Sequence, residues 1–233
     1  MKYFDTAIFI IFLVFGLLSS WYLLFASKNK KNTLMGISVL ILTIGEAFPL
    51  IARIIAGYST SDISSFTKAA TTISYVTTAL FLLLLFHVLF ATKKEVSSHT
   101  NSAIFVYLLT LISIVLAFFP LENYFLNEGK IAPVMIYLLR SISYVLTSLI
   151  LFVLYIKHRR DAKFTLTFIY ILVAICSSVV AKCSGVLNFL DYFIYLEYLA
   201  YGLIIFDFIR NKNTTIVYKK KTKPVFIECS EDY

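Results

Sequence analysis

The sequence predicts an all-α polytopic membrane protein, a seven-transmembrane-helix bundle with its N-terminus out and its C-terminus in. Three observations predict it. Hydrophobic side chains make up 60% of the 233 residues and charged ones only 15%, with a mean hydropathy of +0.85. Soluble domains carry about 25% charged residues. The apolar residues come in continuous runs of about 20, the length of helix that crosses roughly 30 Å of hydrocarbon. Lysine and arginine collect in alternate connections between those runs.

The first run, 7–26, lies between Asp5 and Lys28 without a formal charge. Its acidic flank and lack of a small-x-small cleavage site mark it as a permanent span. The second, 33–57, is interrupted by Glu46, Pro49 and Arg53. The third, 69–92, holds only His87 as a titratable group, and the fourth, 102–121, holds none. The fifth, 131–156, surrounds Arg140. The sixth, 164–185, carries Lys182, and the seventh, 191–209, carries Glu197 and Asp207. Transmembrane β-strands would alternate over segments of about ten residues, so helices are expected. Residues 1–210 thus form the membrane domain, and 211–233, with Lys219, Lys220, Lys221 and Lys223, a flexible cytoplasmic tail.

Orientation follows from the positive residues, which stay cytoplasmic. With the N-terminus out, fifteen lysines and arginines fall on the inner connections and tail, and three, Lys2, Lys68 and Lys130, on the outer ones. The formal charge of +8 is then a topology signal and not a nucleic-acid surface. Cell-membrane residence follows, with the lipid bilayer as first partner and another membrane protein as a second.

Cys176 and Cys183 lie seven apart on one helix, too far to bridge. The three histidines lack zinc-site spacing, and no phosphate-binding glycine loop, HExxH or GxSxG string occurs. No metal or other cofactor is expected. Rhodopsins share the seven-helix, N-out layout but need a Schiff-base lysine in the last helix. That helix has none, since Lys182 lies one helix earlier.

A charge near the bilayer centre costs about 2.5–3.5 kcal/mol on insertion scales, so an ionisable residue inside a span is a functional candidate. Glu46, Arg53, Arg140, Lys182 and Glu197 are the candidates, all in the outer half of the membrane. Glu46 and Arg53, seven apart, share a helix face, with Pro49 between them. Thr67, Thr71, Ser74 and Thr78 form a hydroxyl stripe on helix 3. Arg140, Tyr144 and Thr147 form one on helix 5, and Ser178 joins Lys182 on helix 6. These residues predict an outward-facing polar pocket lined by helices 2, 3, 5, 6 and 7, with helix 4 facing lipid. Its expected ligand-binding set is Glu46, Arg53, Arg140, Lys182, Glu197, Thr71, Ser74 and Tyr144.

The string Gly45-Glu46-Ala47-Phe48-Pro49-Leu50-Ile51-Ala52-Arg53 resembles a motif of small uncharacterised bacterial seven-helix membrane proteins, Gly-Asp-Ala-Phe-His-Leu-Ile-Pro-Arg. This chain has Glu for Asp and Pro49 where the pattern has His. The resemblance spans nine residues and implies that Glu46 and Arg53 act together; it implies no particular activity.

Three functions fit these residues. A transporter or sensor would bind a small anionic or zwitterionic solute or lipid headgroup, with arginine holding the oxyanion and Glu46 an amine or a proton. An intramembrane lipid-modifying enzyme would use Glu46 and Glu197 as acid and base. A structural or assembly subunit would use the same charges only to orient helices.

Overall fold

The computed structural model describes residues 2–25, 30–58, 64–89, 100–124, 132–158, 165–182 and 193–211. The expected tail lies outside these residues, as do most of the charged connections. The described chain is all-helical: α1 (Lys2–Phe25), α2 (Lys30–Tyr58), α3 (Ser64–Leu89), α4 (Thr100–Phe118), a 3-10 turn (Leu121–Tyr124), α5 (Ala132–His158), α6 (Thr165–Lys182) and α7 (Phe193–Arg210). Four helices hold stretches long and apolar enough to cross a membrane: Thr6–Phe25, Lys30–Ala52, Ser65–Val88 and Val134–Val153. The apolar stretches of α4 and α6, Ala103–Phe118 and Leu166–Ser178, are shorter.

Prolines punctuate the helices as their chemistry requires. Pro133 sits at the second position of α5, where the first-turn N–H has no intrahelical acceptor to lose. Pro120 follows α4, which closes with Phe119 N–H donating to Val115 O at 3.0 Å. Pro49 lies inside α2 and leaves the Gly45 carbonyl without its usual donor four residues on.

Sequence neighbours pack side by side, and α7 returns to α1, so the helices form a closed ring. Phe12 and Tyr198 make that closure with ring centroids 5.3 Å apart. α3 also packs directly on α5, which leaves α4 seated outside the α3–α5 seam. The outer surface is apolar: Ile11, Leu18, Trp21 and Phe25 on α1 and Phe105, Leu111, Val115 and Phe118 on α4 are each more than half exposed. Such continuous apolar faces suit lipid and not water.

Small residues bring the helices close. Gly16 faces the Thr43 side chain, and Gly45 faces that of Thr77. The Ser20 hydroxyl donates to Gly36 O at 3.1 Å, joining α1 to α2. In lipid, where no hydrophobic force separates helix from solvent, close backbone approach and interhelical hydrogen bonds drive association. The apolar core runs through Leu42, Phe81, Leu85, Phe86, Phe168 and Phe208.

Candidate functional site

The polar cluster begins on α2, where Glu46 is only 5% exposed. Its Oε1 accepts a 3.0 Å hydrogen bond from the Ser74 hydroxyl of α3. Ser74 is held in turn by its own helix, since its carbonyl accepts from Thr78 at 2.8 Å and Thr77 at 3.0 Å. The hydroxyl stripe of α3 therefore divides. Ser74 reaches across to α2, whereas Thr71 turns back to Thr67 O at 2.8 Å. Self-bonding of this kind is the ordinary use of threonine inside a helix.

Tyr75, next to Ser74, faces α5. Its ring lies 5.7 Å from that of Tyr137 and 5.6 Å from the Arg140 guanidinium carbon, a cation–π distance. Two adjacent residues of α3 thus connect an acid on α2 to a base on α5. The Tyr137 hydroxyl continues the cluster by sharing a hydrogen bond with the Ser178 hydroxyl of α6. Tyr75, Tyr137, Arg140 and Ser178 are all buried.

Arg140 also reaches α4. Nε donates to Leu116 O at 3.1 Å, and Nη2 donates to Phe119 O at 3.0 Å. The last carbonyls of a helix lack intrahelical donors, and a cation there also meets the negative end of the helix dipole. Arg140 is thus the side chain that closes the C-terminus of α4. These bonds fix the orientation of the guanidinium.

Glu197 is 6% exposed on α7, next in sequence to the Tyr198 whose ring meets that of Phe12 at a tilt. The backbones of Arg53, Tyr144 and Lys182 lie within α2, α5 and α6, but their side chains fall outside the described residues. Among the eight expected ligand-binding residues, then, Glu46, Ser74 and Arg140 come together around α3. Thr71 lies one turn from Ser74, and Glu197 is buried on α7.

Sequence reasoning missed Tyr75 and Tyr137. Tyr137 had a readable signal, being three residues before Arg140 on the same face of α5. It also missed a polar cluster at the opposite end of the bundle. There Lys31, 7% exposed, donates to Asn211 O at 2.9 Å, and the Asp207 carboxylate accepts from Thr167 and, at 2.8 Å, from Arg210.

A cavity of about 430 Å³ lies against α3 near the end of α4, lined by Ala69, Thr72, Ile73, Val76, Thr77 and Phe118. Its walls are apolar in character and it is distinct from the Glu46–Arg140 cluster. Comparison with protein-family models, with curated proteins and with solved structures finds no match.

Proposed function

We propose that this chain is a seven-span cell-membrane protein, N-terminus out and C-terminus in, that binds a small anionic or zwitterionic solute or lipid headgroup as a transporter or sensor. The observation that carries this reading is the placement of Glu46 against Ser74 and of Arg140 against Tyr75, two adjacent residues of α3. A buried carboxylate and a buried guanidinium stand on either side of one short stretch of α3. Keeping such groups within an apolar bundle is costly, and function is the usual return. The carboxylate suits an amine or a proton, and the guanidinium suits an oxyanion. Pro49, one turn from Glu46, supplies a weakened point in α2 at which binding can be coupled to movement. In this proposal Arg53 acts with Glu46, as the motif resemblance implies, and Tyr144, Lys182, Glu197 and Thr71 complete the lining.

The test is a thermal-shift screen of the purified protein against amino acids, dicarboxylates and phosphorylated headgroup analogues. A ligand that raises the melting temperature of the wild type and not of Glu46→Gln supports the reading. Absence of any such ligand, with Glu46→Gln as stable as the wild type, would count against it.

One observation favours a second reading, a structural or assembly subunit. Arg140 is engaged with the carbonyls of α4, work that fixes helices whether or not a solute binds. Arg140→Gln is less stable on either reading, and the ligand separates them: a folded fraction that no longer responds to ligand supports binding, and one that responds as the wild type does supports a purely structural role for Arg140.

A further inference from the structure

The cavity on α3 is walled mostly by half-buried side chains. Ala69, Thr72, Ile73, Val76 and Thr77 line one side and Phe118 the end. Over these eight steps of helix the groove is about 12 Å long. Two threonines in the wall would ordinarily call for a polar guest. Here they do not, because the Thr72 hydroxyl donates to Lys68 O at 3.0 Å and the Thr77 hydroxyl to Ile73 O at 2.9 Å. With their hydroxyls bonded to their own helix, the threonines leave methyl groups to face a guest. The groove accordingly suits a hydrocarbon chain.

Its upper end is marked by groups typical of a membrane surface. Phe119 and Tyr124 stack with centroids 5.8 Å apart and planes at 15°, and Tyr124 is 71% exposed. Aromatic rings of this kind gather at headgroup level. Lys68 stands one turn above Thr72 on the same stripe of α3 and is exposed. Helical side chains lean toward the N-terminus, so its ammonium extends away from the groove and toward the headgroup layer.

From this juxtaposition we infer that the groove between α3 and the end of α4 holds one acyl chain of an anionic phospholipid whose phosphate is paired with Lys68. The occupant comes from the surrounding bilayer. It is selected by charge at Lys68 and by the length of apolar wall below it. This inference needs only that the helices lie in a membrane and is independent of the Glu46–Arg140 site.

The test uses the full chain reconstituted in vesicles and reads indole quenching by lipids with brominated acyl chains. Trp21 is the protein's one tryptophan and is 66% exposed on α1, so in the wild type it reports ordinary boundary lipid. Phe118 is as exposed as Trp21 but borders the groove, so in the variant Trp21→Phe/Phe118→Trp any preference that Trp21 lacks belongs to the groove. Brominated phosphatidylglycerol should quench the groove indole at about one-fifth the mole fraction needed for brominated phosphatidylcholine, the discrimination expected of one lysine at a membrane surface. Trp21 should show no such preference. Adding Lys68→Gln should abolish the preference, and Lys68→Arg should keep it. Equal quenching of the groove indole by the two lipids, or a preference unchanged by Lys68→Gln, overturns the proposal. If the Phe118→Trp variant does not fold, mass spectrometry of the lipid carried through detergent purification decides. Retention of phosphatidylglycerol by the wild type and its loss in Lys68→Gln supports the site, and equal retention overturns it.

Discussion

Ser74 of α3 donates a 3.0 Å hydrogen bond to Oε1 of Glu46 on α2, one turn before Pro49, which lies inside that helix. The acceptor is a carboxylate in an apolar setting, so the bond belongs with the stronger of interhelical contacts. Hydrogen bonds to charged groups contribute about 1.5–3 kcal/mol in soluble proteins. Measured interhelical bonds within membranes average about 0.6 kcal/mol and reach about 1.7. A double-mutant cycle with Ser74→Ala and Glu46→Gln, read by reversible unfolding in mixed micelles, should give a coupling near the upper end of that membrane range. A coupling of zero would show that the two groups do not hold α2 against α3.

How far this was legible in the sequence depends on what kind of partner each residue found. Helices announced themselves through uncharged runs, and Pro120 marked where α4 had to stop. Ser74 and Glu46 each stood out as a polar residue in an apolar helix. What no sequence pattern conveys is the relative rotation and height of two helices, and so neither the Ser74–Glu46 pairing nor the Tyr75–Arg140 stacking could be read from spacing. Arg140 shows the limit most clearly. Its acceptors at Leu116 and Phe119 are backbone carbonyls, which every residue carries and no side-chain code reveals. Lys31 lies between two apolar runs and by sequence reads as one of the fifteen inner connection charges. α2 begins at Lys30, and the fold buries Lys31 against the end of α7.

Arg140 should be more sensitive than Glu46 to conservative change. Its two described donors are 3.1 and 3.0 Å from different carbonyls, a span that a planar fork covers and a single ammonium does not. Arg140→Lys is expected to destabilise by roughly the loss of one interhelical bond, about 0.6–1.7 kcal/mol, and Arg140→Gln by more. Unfolding midpoints of the three proteins in the same detergent check this. If Lys and Gln are both as stable as Arg, the closure of α4 by Arg140 contributes nothing and the residue is held for binding alone.

Gly45 and Gly202 make a matched pair. A Cβ at Gly45 would run into the Thr77 side chain, whereas one at Gly202 would meet nothing within 4 Å. Gly45→Ala should therefore cost about 1–3 kcal/mol through overpacking at the α2–α3 contact. Thr77→Ala should restore most of that loss in the double mutant. Gly202→Ala should be neutral or stabilising by up to about 1 kcal/mol, the helical advantage of alanine over glycine. Equal effects at the two sites would refute the close approach of α2 to α3.

Asp207 and Arg210 form an ion pair at 2.8 Å, but its two ends differ: the Asp207 side chain is 3% exposed and that of Arg210 is 52%. Solvent screens the arginine, so Arg210→Ala should cost no more than about 1 kcal/mol. Asp207→Ala also strips the acceptor from the buried Thr167 hydroxyl, and leaving a buried donor unsatisfied costs about 1–3 kcal/mol. The predicted order is Asp207→Ala more destabilising than Arg210→Ala, with only the latter vanishing in high salt. The reverse order would place the stabilising contact in the exposed pair.

Topology offers the most direct check on the proposed seven spans, because the distribution of lysine and arginine commits every connection to a side. With fifteen positive residues on one set of connections and three on the other, translocating the rich set would move charge against the rule that holds it in the cytoplasm. Single cysteines introduced by Asp62→Cys and Glu128→Cys, after replacement of Cys176, Cys183 and Cys229, should react in intact cells with a membrane-impermeant maleimide. Those introduced by Lys94→Cys and Asp161→Cys should react only once the membrane is opened. The inverted pattern would reverse the orientation while keeping seven spans. A mixed pattern, with residues 62 and 128 on opposite sides, would mean that α3 or α4 does not cross, and α4, whose apolar stretch is only Ala103–Phe118, is the helix it would implicate. That stretch covers about 24 Å at 1.5 Å per residue against roughly 30 Å of hydrocarbon. The exposed aromatics Phe119 and Tyr124 extend the apolar reach at one end, and the local bilayer thins to accommodate what is left. The expected result is therefore a crossing α4 and a consistent alternation.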